Sequence, residues 1–212
     1  MLFRSLPSDS CDIRMRLLQP DESEAEMCGN GIRCLACYAY EAGYVGEECS
    51  VETKAGTYHV TISPDTYENE YMFRINMIPP EFDRKKIPAT GSGEYEEDLF
   101  GYKIYAVNTG VPHAIIFVDD VDSLDIEEIS PKIRNHESFP EGANVNYVEI
   151  KDKNSLKIRT FERGVEGETL SCGTGATASA AVARKLGKVG DTVEIETLGG
   201  KLIIEFNEDV TL

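Results

Sequence analysis

The stretch EMCGNGIRCLACYAYEAG, residues 26–43, places a cysteine between a methionine and a Gly-Asn-Gly segment that leads into an apolar run. The apolar residues of that run recur at the spacing of one helical face, at Ile32, Leu35, Ala36 and Ala39. Gly43 is a typical signal for the end of a helix. We therefore predict a helix that begins just after Cys28 and ends near Gly43.

The same arrangement occurs again in LSCGTGATASAAVARKLG, residues 170–187. The two copies keep one offset of 144 residues through Glu24 and Glu168, Cys28 and Cys172, Gly43 and Gly187, Glu52 and Glu196, and Gly56 and Gly200. The strands that precede them are expected to begin at Ile13 and Ile158. We interpret this register as an internal duplication of strand, turn, Cys-Gly-x-Gly, helix and hairpin.

Strand-like segments outnumber the two main helices, and the second helix is predicted from about Thr174 to Leu186. The strand-like segments are 13–18, 49–63, 71–77, 102–110, 113–120, 142–150, 156–164 and 191–206. Residues 79–99 are predicted to form a loop. The predicted class is α/β (mixed α+β), with two pseudo-symmetric lobes at residues 1–70 and 71–212. In such lobes the equivalent cysteines are expected to face each other across a cleft.

The chain of 212 residues has a formal net charge of -17. A strongly acidic surface repels polyanions, so the charge argues against nucleic acid or an anionic membrane as a partner. The sequence contains no apolar run of the ~18 residues that indicate a membrane span, and no secretory signal is recognised. We expect a cytoplasmic protein whose thiols stay reduced.

Each repeated cysteine stands at the start of a helix, where the first N–H groups lack helical partners and the dipole is positive. A thiol there ionises more easily than free cysteine, whose pKa is about 8.5. The glycines that follow remove side-chain bulk, so a carboxylate can approach the N–H groups. The sequence therefore predicts an anion cradle and a reactive thiol, twice over.

Two equivalent acid/base groups suit racemisation or epimerisation at a carbon atom. A thiolate removes the α-proton from one face, a thiol delivers a proton to the other, and the reverse reaction exchanges the two roles. One such group contributes about 10²- to 10⁴-fold in rate, and the helix N–H groups would stabilise the developing carbanion through the carboxylate.

The remaining cysteines have simpler interpretations. A lone cysteine is most often a small buried hydrophobe, which we apply to Cys11, Cys34, Cys37 and Cys49. The spacing of Cys28, Cys34 and Cys37 matches no usual structural zinc site, and no histidine lies close in sequence. We therefore expect no metal. The small residues of the second helix are interpreted as core packing.

The segments SEAEMCGNGIRC (23–34) and FERGVEGETLSCGTGATASA (161–180) closely resemble the diaminopimelate epimerase family, and the resemblance covers nearly the whole chain. It implies a cofactor-independent isomerase that interconverts LL- and meso-diaminopimelate for lysine and cell-wall precursor synthesis. It also implies lobes with strands wrapped around a central helix and a site between them.

The resemblance further implies roles for individual residues. Cys28 and Cys172 would be the acid/base pair, with His113 and Glu162 as further catalytic residues. The substrate-binding residues would be Gln19, Gly29, Asn30, Asn144, Arg163, Gly173 and Thr174. An arginine suits the substrate carboxylate because guanidinium binds it in a bidentate fork. The bland alternatives stay open: a surface ion pair for Arg163, a buried strand-end amide for Asn144 and a core histidine for His113.

The chain departs from the family in two ways. Gln19 and Val111 stand where the family usually has asparagine at the distal end of the substrate, and valine cannot hydrogen-bond. The family's first strand, with a His-Gly-x-Gly-Asn-Asp-Phe-like motif, and its last strand are expected to be missing, so we expect the 212-residue chain to be weakly active or inactive until they are restored.

Two other functions stay open on the sequence. One is a related racemase that acts on proline, hydroxyproline or another amino acid. The other is a non-catalytic, thiol-redox or metal-binding protein. Among partners we expect a small amino-acid substrate, and a homodimer is compatible with the sequence.

Overall fold

A computed structural model describes residues 2–18, 24–65 and 70–212 of the chain. These residues form two compact units, Met1–Ile78 with Thr211–Leu212, and Pro79–Val210. The boundary therefore lies at residues 78 and 79, whereas the sequence-based boundary was at 70 and 71. The strand that runs from Glu70 to Met77 accounts for the difference, because it pairs along the preceding strand of the first unit.

The first unit is a sheet with one helix. Its elements are β1 (Leu2–Leu6), β2 (Ile13–Leu18), β3 (Glu24–Ala25), α1 (Gly29–Glu41), β4 (Glu48–Thr53), β5 (Gly56–Asp65) and β6 (Glu70–Met77). The strand order is β1-β2-β4-β5-β6, and β3 pairs with β2. The β2–β4 pair is parallel and the other pairs are antiparallel. Ile75 and Leu212 exchange backbone hydrogen bonds of 2.8 and 2.9 Å.

The second unit places helices on both faces of a larger sheet. Its elements are β7 (Glu96–Leu99), β8 (Tyr102–Asn108), β9 (Pro112–Val118), α2 (Ile126–Arg134), β10 (Asn144–Ile150), β11 (Ser155–Glu162), β12 (Gly167–Thr169), α3 (Gly173–Lys185), β13 (Thr192–Thr197) and β14 (Gly200–Phe206), and β15 (Val210–Thr211) follows. The strand order is β14-β13-β11-β10-β9-β8-β7, with β12 on β11. Helix α3 contacts strands β8 to β11, β13 and β14, whereas α2 contacts β10 to β12.

The duplication is visible in the structure. Helices α1 and α3, and strands β4 and β13, begin and end 144 residues apart. The following turns share one hydrogen bond, because the hydroxyls of Thr53 and Thr197 each donate to the glycine carbonyl three residues on at 2.8 Å. The expected strand start at Ile158 is wrong: β11 begins at Ser155.

The sequence patterns missed helix α2. Its N-cap Asp125 accepts from the Glu128 N–H at 3.3 Å, and its buried face presents Ile126, Ser130 and Ile133 to the core. Pro131 lies inside the helix, where proline normally counts against helix formation, and this explains the omission. The predicted mixed α/β class is confirmed, although β7 lies in a segment predicted as loop. Among the helices of the described residues, none combines the length and hydropathy of a membrane-crossing segment.

Candidate functional site

Cys172 is the N-cap of helix α3. Its extended backbone (φ -127, ψ 109) turns the thiol back over the first helical turn. The sulfur accepts from the Gly175 N–H at 3.4 Å and lies 3.4 Å from the Thr174 hydroxyl oxygen. The residue is 7% exposed. The N–H donor and the positive end of the helix dipole both stabilise negative charge on the sulfur.

Cys28 repeats this geometry at the start of α1. Its backbone is extended (φ -144, ψ 115), and its sulfur accepts from the Gly31 N–H at 3.4 Å. The first helical hydrogen bond runs from the Ile32 N–H to the Cys28 carbonyl at 2.9 Å. The equivalent bond in α3, from the Ala176 N–H to the Cys172 carbonyl, is also 2.9 Å. Cys28 is half-buried. The sequence-based placement of both cysteines at helix starts agrees with the structure.

The residues expected to hold the substrate carboxylate lie in the first turns of these helices. Gly29 and Gly173 are buried at the first helical position. Asn30 is exposed, and its side-chain oxygen accepts from the Arg33 guanidinium. Thr174 is 4% exposed, and its carbonyl accepts from the Thr109 hydroxyl at 2.9 Å. Thr109 thereby ties the loop before β9 to the start of α3.

Asn144, Glu162 and Arg163 meet where β10 begins and β11 ends. The Asn144 side-chain oxygen accepts from the Arg163 backbone N–H at 2.8 Å, and its amide nitrogen donates to the Pro112 carbonyl at 3.3 Å. The Arg163 Nη1 donates to the Glu141 carbonyl at 2.9 Å. In this structure, therefore, the Asn144 amide links three chain segments of the site.

Glu162 is half-buried at the end of β11. Burial raises the pKa of its carboxyl group above the ordinary value, and the Thr169 side chain partly opposes this shift. A carboxyl group with a raised pKa can exchange protons nearer to neutral pH. The raised pKa is consistent with the catalytic role that the family resemblance implies for this residue.

His113 is fully buried on β9, opposite Asn144 in the parallel register of β9 and β10. Its Nδ1 lies 3.0 Å from the Asn146 side-chain nitrogen, while Nε2 has no hydrogen-bond partner among the described residues. Burial, together with the positive charge of Arg163, lowers the pKa of His113 to about 3, and Asn146 opposes the shift. The imidazole is therefore neutral at physiological pH.

The structure thus distributes the expected site residues over the two units. The second unit holds His113, Asn144, Glu162, Arg163, Cys172, Gly173 and Thr174, and the first holds Cys28, Gly29 and Asn30. Gln19 lies outside the described residues. Val111 is buried at 9% exposure. The sequence patterns missed Thr109, Asn146 and Thr160, although the alternation in Asn144-Val145-Asn146 could have indicated two amides on one strand face.

The other cysteines differ in burial. Cys49 is 5% exposed, and burial raises its pKa to about 11, so its interpretation as core packing is confirmed. Burial also raises the pKa of half-buried Cys37. The interpretation of Cys34 as a buried hydrophobe is wrong, because it lies on the exposed face of α1. Across residues 2–18, 24–65 and 70–212, no group of three or more potential metal-ligating side chains occurs.

Comparison with known proteins places this chain in a family. Residues 1–77 and 105–211 match the family model described as diaminopimelate epimerase. The chain is 57% identical over 202 residues to the diaminopimelate epimerase of Methanothrix thermoacetophila, with 95% of this chain and 71% of that protein covered. It is 48% identical over 206 residues to the same enzyme of Archaeoglobus fulgidus, with 96% and 72% covered.

Solved structures share the fold. A probable proline racemase from Agrobacterium radiobacter has a TM-score of 0.71 at 18% identity and covers 99% of this chain and 71% of its own. A PhzF-family phenazine biosynthesis protein from Bacillus anthracis has a TM-score of 0.66 at 20% identity, with 98% and 78% covered. At these identities the likeness concerns the fold alone.

Proposed function

Since the chain belongs to the diaminopimelate epimerase family, we propose that it interconverts LL- and meso-diaminopimelate without a cofactor, as a step of lysine and cell-wall precursor synthesis. The observation that carries the proposal is the repeated cysteine geometry. Cys28 and Cys172 each cap a thirteen-residue helix and each accept from the N–H three residues on at 3.4 Å. The two cysteines would therefore give this chain a matched pair of acid/base groups, as the function of its relatives requires.

In the proposed reaction, one cysteine acts as thiolate and removes the proton from the α-carbon. The C–H electron pair stays on that carbon, next to the carboxylate. The second cysteine, as thiol, donates its proton to the opposite face, and the configuration inverts. The enzyme ends with thiolate and thiol exchanged, so the next turnover runs in the opposite direction or awaits proton exchange with solvent.

The first-turn N–H groups of both helices are suited to the substrate carboxylate. Gly29 and Asn30 in α1, and Gly173 and Thr174 in α3, occupy the first two helical positions, where N–H groups have no partner within the helix. The third N–H of each helix donates to the cysteine sulfur. Carboxylate and thiolate would therefore both bind the positive end of a helix dipole, which stabilises the charge that develops on deprotonation.

The second unit would supply the remaining contacts. We assign Arg163 to a substrate carboxylate, Glu162 to the substrate amino group and to proton exchange, and neutral His113 to hydrogen bonding near a thiol. Gln19 and Asn144 are assigned to substrate binding. We also place the protein in the cytoplasm. We further propose that it is a homodimer, and measurement of its molar mass in solution by light scattering would test that state.

The two-thiol mechanism is tested by α-deuterium incorporation in D₂O. The wild-type protein should incorporate deuterium into both stereoisomers and invert them. Cys28→Ala and Cys172→Ala should each abolish inversion, yet each should retain exchange of one stereoisomer, opposite for the two variants, because one thiolate remains. Cys34→Ser, on the exposed face of α1, is the matched control and should behave as wild type. Inversion that survives either alanine substitution would refute the mechanism.

Substrate choice needs a separate panel, because Gln19 and Val111 differ from the usual family residues. Exchange should be fastest with diaminopimelate and should be slower with proline, hydroxyproline and lysine. Preference for proline or hydroxyproline would favour the related racemases. Absence of exchange with every amino acid, together with a thiol count below six, would favour a thiol-redox protein.

A further inference from the structure

Three polar side chains form a buried triad inside the second unit: His113 on β9, Asn146 on β10 and Thr160 on β11. Their exposed fractions are 0%, 0% and 3%. Buried polar groups are costly unless they are hydrogen-bonded, and in this cluster only His113 Nε2 has no partner among the described residues. The roles derived above use His113 but neither Asn146 nor Thr160.

The contacts of Asn146 fix the orientation of its amide. The side-chain nitrogen lies 3.2 Å from the Ala114 carbonyl oxygen, which can only accept, and the side-chain oxygen accepts from the Thr160 hydroxyl at 3.0 Å. A flipped amide would set two oxygens against each other at Ala114. The nitrogen therefore donates, and its second hydrogen points to His113 Nδ1 at 3.0 Å.

This orientation determines the tautomer of His113. Since the Asn146 amide donates to Nδ1, that ring nitrogen must be the acceptor, and a neutral imidazole then carries its proton on Nε2. Nε2 is the atom without a partner among the described residues. Burial and the charge of Arg163 keep the pKa of His113 at about 3, so the ring stays neutral at pH 7.

Asn146 also lies directly beneath the Cys172 turn. A Cβ placed on Gly175 would clash with the Asn146 side-chain oxygen, and the Gly175 N–H donates to the Cys172 sulfur at 3.4 Å. At the equivalent Gly31 the nearest contacts from outside the turn are the apolar side chains of Met15 and Leu17. Of the two copies, it is the second that has an amide below its thiol turn.

We propose that Asn146, held by Thr160, is a positioning residue that fixes His113 as the neutral Nε2–H tautomer, with Nε2–H available as a hydrogen-bond donor to substrate or thiolate. The catalytic use of that donor rests on the proposed function, whereas the tautomer itself does not. The same amide sets how closely α3 packs against the sheet, through its contact with Gly175.

The test is ¹⁵N NMR of the imidazole nitrogens at pH 7, which distinguishes protonated from unprotonated ring nitrogens. The chain has three histidines, and the His113→Gln spectrum assigns the signals. Wild-type His113 should show unprotonated Nδ1 and protonated Nε2. Asn146→Asp should reverse this, because a carboxylate at that position accepts from Nδ1–H. Asn146→Asp should also lower kcat by about 10²- to 10³-fold, the cost of losing one hydrogen-bond donor to developing charge, with a smaller change in KM.

Ser130→Ala is the matched control. It removes the buried Ser130 hydroxyl of α2, which lies 3.0 Å from the Tyr147 hydroxyl. Tyr147 follows Asn146 along β10, and its hydroxyl lies on the side of the sheet that contacts α2. It should cost stability without changing the tautomer or kcat. Protonated Nδ1 in the wild-type protein would overturn the proposal even if Asn146→Asp does not fold, as would an unchanged tautomer in folded Asn146→Asp. The expected tautomer together with inversion that survives Cys28→Ala or Cys172→Ala would instead refute the proposed two-thiol mechanism and leave the tautomer assignment standing.

Discussion

At the scale of single residues, two carboxyl groups near the end of β11 experience opposite environments. Burial raises the pKa of Glu162. Burial also acts to raise the pKa of Glu166, but the Gly164 N–H at 2.9 Å and the Arg134 guanidinium at 2.8 Å outweigh it, so that pKa is lowered. When the environments of two carboxyl groups shift their pKa values in opposite directions, the group with the raised pKa is suited to proton transfer and the other stays charged for ion pairing.

Substitution of these two residues should change the pH dependence of stability with opposite signs. The stability that Glu162 contributes is fully present below its unfolded pKa of about 4.3 and is lost as pH rises through the higher folded pKa. Glu162→Gln should therefore be more stable than wild type at pH 7, and the difference should vanish near pH 4. Urea unfolding between pH 4 and 8 measures this.

Glu166→Gln is the matched comparison. In the wild-type protein the Glu166 carboxylate contributes stability above its unfolded pKa, and that contribution is lost as pH falls through the lower folded pKa. The substitution should cost up to about 1 kcal/mol at pH 7, because the ion pair with Arg134 is partly exposed. A shift of the same sign for both variants at pH 7 would contradict the assigned environments.

At the scale of elements, the duplicated helices differ in burial although their bounds correspond. All residues of α3 from Gly173 to Ala183 are buried, as its small side chains predict. Helix α1 buries one face, and its opposite face includes exposed Cys34. Strands β8 to β11 contact α3, whereas β1, β2 and β5 contact α1. The sheet that surrounds each helix therefore decides how much of it is core.

Leucine at equivalent positions of the two helices should reveal this difference. Ala178 is 0% exposed and Cys34, 144 residues earlier, is exposed. Ala178→Leu should destabilise the protein by about 1–3 kcal/mol because a packed core has no room for the added carbons. Cys34→Leu should stay within about 0.5 kcal/mol, as is usual for surface substitutions. Equal losses in chemical unfolding would show that α1 is packed as tightly as α3.

At the scale of the whole molecule, the net charge of -17 is spread over a chain of 212 residues. Self-repulsion of this size destabilises the compact state. Surface ion pairs such as Lys103–Glu96, at 2.7 Å, offset little of it, because exposed pairs contribute about 0–1 kcal/mol each. Because the repulsion between like charges outweighs these ion pairs, we expect added salt to stabilise the folded protein.

Thermal unfolding should therefore shift to higher temperature between about 0.01 M and 0.1 M NaCl, where the screening length falls from about 30 to about 10 Å. Asp119→Asn with Glu137→Gln, both exposed carboxylates, should reduce the salt response because the net charge becomes less negative. A fall of Tm with salt would mean that ion pairs outweigh the repulsion.

The prediction of local geometry from sequence succeeded where one short segment determined it. Cys28 and Cys172 cap their helices as expected, since cap, glycine and apolar periodicity lie within one or two turns. It failed for Asn146, which meets His113 across 33 residues of chain. It failed also for Cys34, whose exposure depends on which strands reach α1.

The sequence by itself determined the duplication, the two capped helices, the mixed α/β class and the family, because these follow from residue order and short-range hydrogen bonding. Tertiary structure alone decided the helix α2 around Pro131, the neutral state of His113 and the raised pKa of Glu162. Each of these depends on burial and on the register of strands distant in sequence, and none of the three is encoded in any single segment.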